Sequence, residues 1–206
     1  MLCSPSLFLH PLLFIIISVF VKILGEINFP YNVFLFQLIN YNQNYFLNPL
    51  FVFFAIYGRE YVWIPLVLIL FIFSKTRKFS LDLVATFIIA IILGEIFKFL
   101  LAQYRPFDYI HSNLLISEKN DFSYPSGHAL IVSTGSVTLL KGNIKFLSII
   151  MLMEAIIVSY ARIYVGVHWP IDVISGWLLG SWISLFYLNE IKKFEFIKKL
   201  YLLVKA

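Results

Sequence analysis

Residues with the chemistry to hold and attack a phosphate group gather between Lys98 and Asp172, in three short runs. In the first, Lys98 and Arg105 stand seven apart, followed by Pro106. If that run is helical, the two cations share a face and lie about 10 Å apart along the axis. Pro106 would then end the helix, leaving one cation deep and the other at the rim. Arginine offers a fork to two phosphate oxygens and lysine a point charge. Taken alone, such a pair is more plainly two snorkelling side chains near a helix end. The second run, Pro125-Ser126-Gly127-His128, reads as a helix start. Its glycine admits a phosphate close to the backbone, its free N–H groups favour an anion, Ser126 adds a hydroxyl donor and His128 a titratable acid. By itself it would be an ordinary capped helix start. In the third run Arg162 precedes His168 and Asp172, with Pro170 and Asp172 in one first helical turn. A four-residue spacing lets Asp172 reach one imidazole nitrogen of His168, which fixes the tautomer and frees the other nitrogen to attack.

In order, these runs resemble the K-x6-RP, PSGH and SR-x5-H-x3-D motifs of the type 2 phosphatidic acid phosphatase (PAP2) superfamily of membrane and soluble phosphatases. All internal spacings match, and one residue departs: the family serine before the third-motif arginine is Ala161 here. The resemblance implies the same mechanism that the residues allow. His168 attacks phosphorus and forms a phosphohistidine, Asp172 holds His168, and His128 protonates the leaving oxygen and then activates water. Lys98, Arg105, Arg162, Ser126 and the Gly127 N–H hold the other phosphate oxygens. The missing serine hydroxyl removes a bond worth about 1.5–3 kcal/mol, which weakens such a site without abolishing it. No cofactor is implied and no metal is required. The acidic residues of the 103–125 loop, among them Asp108, Glu118 and Asp121, lack the spacing of a magnesium site.

The elements that must position these runs are membrane helices. Of 206 residues 61% are hydrophobic and 13% charged, with a mean hydropathy of +0.88, and the apolar residues fall in long blocks. That composition fits a polytopic integral membrane protein in a single domain, residues 1–206, all-α, with six transmembrane helices. The blocks run about 7–24, 49–73, 81–102, 126–140, 146–164 and 170–188. The first carries no preceding basic residue and no small-residue cleavage site, so it reads as an uncleaved helix. Residues 26–48, rich in asparagine and aromatics, read as an amphipathic interfacial segment. Arg59, Glu60, Glu95 and Glu154 fall at mid-depth of their blocks, where ionisable groups are expensive. They read either as a polar layer or proton path beneath the site or, the reading preferred, as a structural ion-pair cluster. The single cysteine, Cys3, excludes an internal disulfide framework.

Six spans put both termini on one side. That side collects Lys75, Arg77, Lys78, Lys141, Lys145 and the five tail lysines, while Lys119 is the one basic loop residue opposite them outside the motifs. The positive-inside rule then puts the termini in the cytoplasm and the motifs outside the plasma membrane. Basic residues at helix ends serve orientation and do not suggest a nucleic-acid partner. The expected partner is a lipid phosphate or diphosphate presented by the bilayer. The 36–58 segment loosely resembles polyprenyl-diphosphate phosphatases within the superfamily, which favours undecaprenyl or dolichyl diphosphate. Two alternatives stand: a phosphatidic acid or phosphatidylglycerophosphate phosphatase, and a non-catalytic lipid-phosphate binding or transport protein.

Overall fold

The structure is a computed structural model that describes residues 6–118, 121–142, 144–195, 197 and 201. Cys3, Lys119 and the tail lysines 198, 199 and 205 lie outside the described residues. All regular structure among the described residues is helical: α1 Ser6–Leu24, a 3₁₀ turn Glu26–Asn28, α2 Asn32–Asn40, α3 Asn48–Tyr57, α4 Glu60–Ile72, α5 Arg77–Leu101, α6 Pro106–Tyr109, α7 Gly127–Lys141, α8 Lys145–Tyr164 and α9 Pro170–Asn189.

The bundle is apolar outside and hydroxyl-rich within. Side chains such as Ile15 of α1, Ile91 of α5 and Ile149 of α8 point outward, exposed, as lipid-facing residues do. α7 is the central helix, packed on α5, α8 and α9. Glycines on α9 let it come close: a β-carbon at Gly180 would stand 2.6 Å from the Leu130 carbonyl oxygen, and one at Gly176 2.9 Å from the Ser126 carbonyl oxygen. Close backbone approach of this kind is how helices associate where lipid removes the hydrophobic drive. Hydroxyls then bridge the pair. Thr138 lies 3.0 Å from Ser184 Oγ, and Ser184 Oγ donates to the Thr134 carbonyl at 2.7 Å.

Four helices, α1, α5, α8 and α9, are long and apolar enough to cross a membrane, so this is an integral membrane protein. The second block of the sequence is not one straight helix. α3 and α4 pass together as a span but are bent by 55°, and Arg59 and Glu60 sit at the break. α7, with 15 residues, rises about 22 Å, short of a full hydrocarbon core. Residues 26–48 pack inward as well as outward. Asn32, Phe36 and Asn40 are buried, and Asn40 Nδ2 donates to the Tyr164 carbonyl at 2.9 Å. The segment therefore braces the α8–α9 connection.

Candidate active site

The α8–α9 connection carries His168. α8 ends at Tyr164, Gly166 turns the chain at φ +90°, and Pro170 starts α9. Asp172, in the first turn, uses one oxygen three times. Its Oδ2 accepts the Trp169 N–H at 2.9 Å, lies 2.5 Å from Ser123 Oγ and 3.1 Å from His168 Nδ1. The Asp172 carbonyl accepts the Ser126 N–H at 3.1 Å, which ties the second run to the third. The Gln103 carbonyl accepts the Ser123 N–H at 2.8 Å, tying in the first. His168 and Asp172 are 1% and 0% exposed, so water does not compete for these bonds.

The first run does not lie on one helix face. α5 stops at Leu101, where Ala102 takes a left-handed conformation at φ 50° and its N–H bonds the Lys98 carbonyl. Lys22 Nζ covers two further carbonyls, Leu100 at 3.1 Å and Leu101 at 3.2 Å. Arg105 lies beyond this stop in extended backbone, and Pro106 begins α6 instead of ending α5. The cause is local: a residue before proline is pushed out of the helical region. Freed from the helix, Arg105 turns inward. Its Nη1 donates to the Val167 carbonyl at 2.7 Å and stands 3.3 Å from His168 Nε2.

The cations expected to hold phosphate are held by two carboxylates. Asp121 accepts from Lys98 Nζ at 2.7 Å and from Arg105 Nη2 at 2.5 Å, and Glu118 accepts from Arg162 Nη2. Burial pushes the Asp121 carboxyl up, but its bonds to Lys98 and Arg105 outweigh that and hold it below the usual range. Arg162 Nη1 also donates to the Ala55 carbonyl at 2.9 Å. Among the motif residues, Ser126 Oγ and Arg162 Nε are buried donors with no partner among the described residues. An anion with several acceptor oxygens supplies what such donors lack. Among the described residues no group of three or more His, Cys, Asp or Glu is arranged to hold a metal ion.

His168 is neutral in this setting. Burial, reinforced by the charges of Arg105, Arg162, Lys98 and His128, holds its imidazole well below the ordinary histidine value. With Nδ1 facing Asp172, the hydrogen-bond network assigns the proton to Nδ1 and the lone pair to Nε2. His128 sits half-buried in the first turn of α7. Ala161 is fully buried in an apolar cluster with Ala55, Tyr164, Val165 and Val167.

Three nearby residues are not placed at the site by the sequence: Ser123 and Glu26 carry no signal there, and Arg59 reads as part of an ion-pair cluster. Ser123, a loop serine, bridges His168 and Asp172. Arg59 reaches the second run, its Nη1 3.4 Å from where a β-carbon of Gly127 would stand. Glu26 is buried against Asp172. The expected four-member ion-pair cluster is absent: Arg59 pairs with its neighbour Glu60, Glu95 is exposed, and Glu154 accepts from Trp63 Nε1 at 3.2 Å. An apolar groove of about 480 Å³ runs between α4, α5 and α7, and Arg59, Glu60, Glu95, Lys98 and Gly127 lie on its polar lining.

Residues 79–195 match the family model of the PAP2 superfamily. The chain belongs to that superfamily. It is 55% identical over 197 residues to an undecaprenyl-diphosphatase of Sulfolobus acidocaldarius, which covers 95% of each chain. Among solved structures it is similar to Aquifex aeolicus LpxE, with a TM-score of 0.71 and 32% identity over 79% of this chain and 97% of that one. It is also similar to a PAP2-type phosphatidylglycerolphosphate phosphatase from Bacillus subtilis, with a TM-score of 0.68 and 25% identity over 95% of this chain and 100% of that one.

A pH titration follows from the buried histidine. The prediction is that His168, followed by carbon-13-edited NMR of its ring, gains a proton only well below the ordinary value of about 6.5. Protonation at or above that value would contradict the neutral, lone-pair-bearing state.

Proposed function

We propose that this membrane protein hydrolyses the terminal phosphate of a polyprenyl diphosphate, releasing inorganic phosphate and the lipid monophosphate. It is a phosphatase. The observation that carries the reading is the setting of His168: Arg105 Nη1 stands 3.3 Å from its Nε2, the charges of Arg162 and Lys98 also act on the imidazole, and Ser126 Oγ and Arg162 Nε are buried donors without a partner among the described residues. The choice of a polyprenyl diphosphate is supported by the similarity to the undecaprenyl-diphosphatase of Sulfolobus acidocaldarius.

In this mechanism an incoming phosphate displaces Asp121 and Glu118 from Lys98, Arg105 and Arg162. His168 Nε2 attacks the terminal phosphorus as the bond to the bridging oxygen breaks. His128 gives that oxygen its proton, and Asp172 balances the charge that appears on His168. Water then attacks the phosphorus and yields a proton to His128 as the phosphorus–nitrogen bond breaks, which releases inorganic phosphate and returns the lone pair to His168 Nε2. Once the carboxylates are displaced, the cations, Ser126 and the Gly127 N–H stabilise charge on the non-bridging oxygens without further reorganisation in the chemical step, and this is where most of the rate enhancement lies. None of these steps calls on a metal ion.

Two features favour a diphosphate. Arg59 stands on the groove side of Gly127, next to the acid His128, where a second phosphate leaves. The groove beyond it offers apolar wall to a lipid chain, whose burial needs no specific contact. A diphosphate also has the better leaving group, which offsets the donor missing at Ala161. The similarity to a phosphatidylglycerolphosphate phosphatase keeps a monoester as the second reading. The prediction is that, in one detergent, kcat/KM for a polyprenyl diphosphate exceeds that for phosphatidic acid. Arg59→Gln should narrow the ratio by about tenfold, the worth of one charged hydrogen bond. Equal or faster turnover of phosphatidic acid by the unmodified protein would promote the second reading.

The membrane arrangement consistent with this role is a single domain of six spans: α1, the bent α3–α4 pair, α5, α7, α8 and α9, with residues 26–48 at the interface. Lys75, Arg77, Lys78, Lys141, Lys145, Lys192 and Lys193 all lie at helix ends away from the His168 end, which supports cytoplasmic termini and an external site. In a Cys3→Ser background, a cysteine at exposed Leu114 should react with a membrane-impermeant thiol reagent in intact cells. Protection there, with labelling only after lysis, would place the site in the cytoplasm.

A further inference from the structure

Glu26 is a buried acid that the mechanism above does not use. It lies in the 3₁₀ turn between α1 and α2, is 1% exposed, and neither of its carboxyl oxygens meets a hydrogen-bond donor of the protein. The second oxygen of Asp172, Oδ1, is likewise buried without a donor. These orphan atoms belong to one contact, because the Glu26 and Asp172 carboxyls are neighbours with no donor between them. The turn is fastened there by Asn32. Its Nδ2 donates to the Glu26 carbonyl at 2.8 Å, and its Oδ1 accepts the Ile171 N–H at 3.0 Å, one residue from Asp172.

Two carboxyl groups can share a dry contact only if a proton lies between them. The donors decide which group carries it. Asp172 Oδ2 faces the Trp169 N–H, the Ser123 hydroxyl and His168 Nδ1, all of which stabilise an anion. Glu26 has none. The other charged or titratable groups facing Glu26 are Arg105, Tyr109 and Tyr124. Arg105, the one cation among them, is engaged with Asp121 and the Val167 carbonyl. We propose that Glu26 is a positioning residue: a neutral carboxylic acid that donates its proton to Asp172 Oδ1 and so fixes the aspartate that orients His168. Burial first, then the Asp172 charge, raises the Glu26 carboxyl well above the usual range, in keeping with that assignment.

This arrangement splits the two oxygens of Asp172 between two tasks. Oδ1 is anchored by Glu26 while Oδ2 serves His168. The pair holds one negative charge instead of two, enough to balance the imidazolium of a phosphohistidine without repelling the incoming phosphate. The role rests on the phosphatase reading above, but the protonation state does not, and the experiment separates them.

Infrared difference spectra of unmodified protein and Glu26→Gln at pH 7 should show a protonated-carboxyl C=O band that the substitution removes. Glutamine keeps a donor in the same shape, so Glu26→Gln should retain kcat within about threefold. Glu26→Ala, which leaves Asp172 Oδ1 bare, should lower kcat about tenfold or more at similar KM, as removal of an outer partner of a positioned histidine does. No band lost in Glu26→Gln would overturn the proposal. So would a folded Glu26→Gln as slow as Glu26→Ala, or a fully active Glu26→Ala. An unmodified protein that hydrolyses no lipid diphosphate would instead refute the phosphatase reading, with the infrared band still reporting on the carboxyl pair.

Discussion

Asp172 is the interaction on which the catalytic end depends. Its carboxylate caps α9 and faces His168, and its carbonyl holds the first N–H of the second motif. One buried residue thereby sets a helix start, an imidazole tautomer and the spacing between two motifs. Such economy leaves little tolerance. Removing one partner from a fully buried, hydrogen-bonded charge commonly costs several kcal/mol, since the group left behind can reach neither water nor a new donor. The bundle beneath supplies the rigidity: the small residues of α9 and the hydroxyls of α7 lock the central pair.

The second constraint is electrostatic. Lys98, Arg105 and Arg162 crowd a buried imidazole, and cations held so close repel one another. Asp121 and Glu118, from the connection between α6 and α7, relieve that repulsion. Under the proposed function, substrate binding is an exchange of anions, with phosphate taking the place of the two carboxylates. On that proposal the cost of releasing two carboxylates weighs most on weakly charged competitors, which fits the proposed diphosphate, the most highly charged of the candidate ligands.

Much of this was legible in the sequence because motif spacing constrains geometry. His168 and Asp172 at four residues' separation across a helix start meet as expected, and the helical, lipid-facing character follows from long apolar blocks. What misled was the continuation of one helix through Lys98–Arg105. The residue before Pro106 carried the contrary signal, since it is barred from helical backbone. Likewise Gly58 beside Arg59 and Glu60 marks a break in the second block, which turns a supposed mid-depth pair into one at the groove's polar lining. Ser123 and Glu26 could not be found from spacing. Their roles arise from long-range packing, 49 and 146 residues from Asp172 along the chain.

The central claim is that His168 itself takes up the phosphoryl group. The direct measurement is rapid acid-free quenching of the protein during turnover of a polyprenyl diphosphate labelled in its terminal phosphate, followed by peptide mapping. The account predicts transient label that resists base, is lost in acid and resides on the peptide containing His168. Release of labelled phosphate in a single turnover with no label ever on the protein, or label on a different residue, would contradict it.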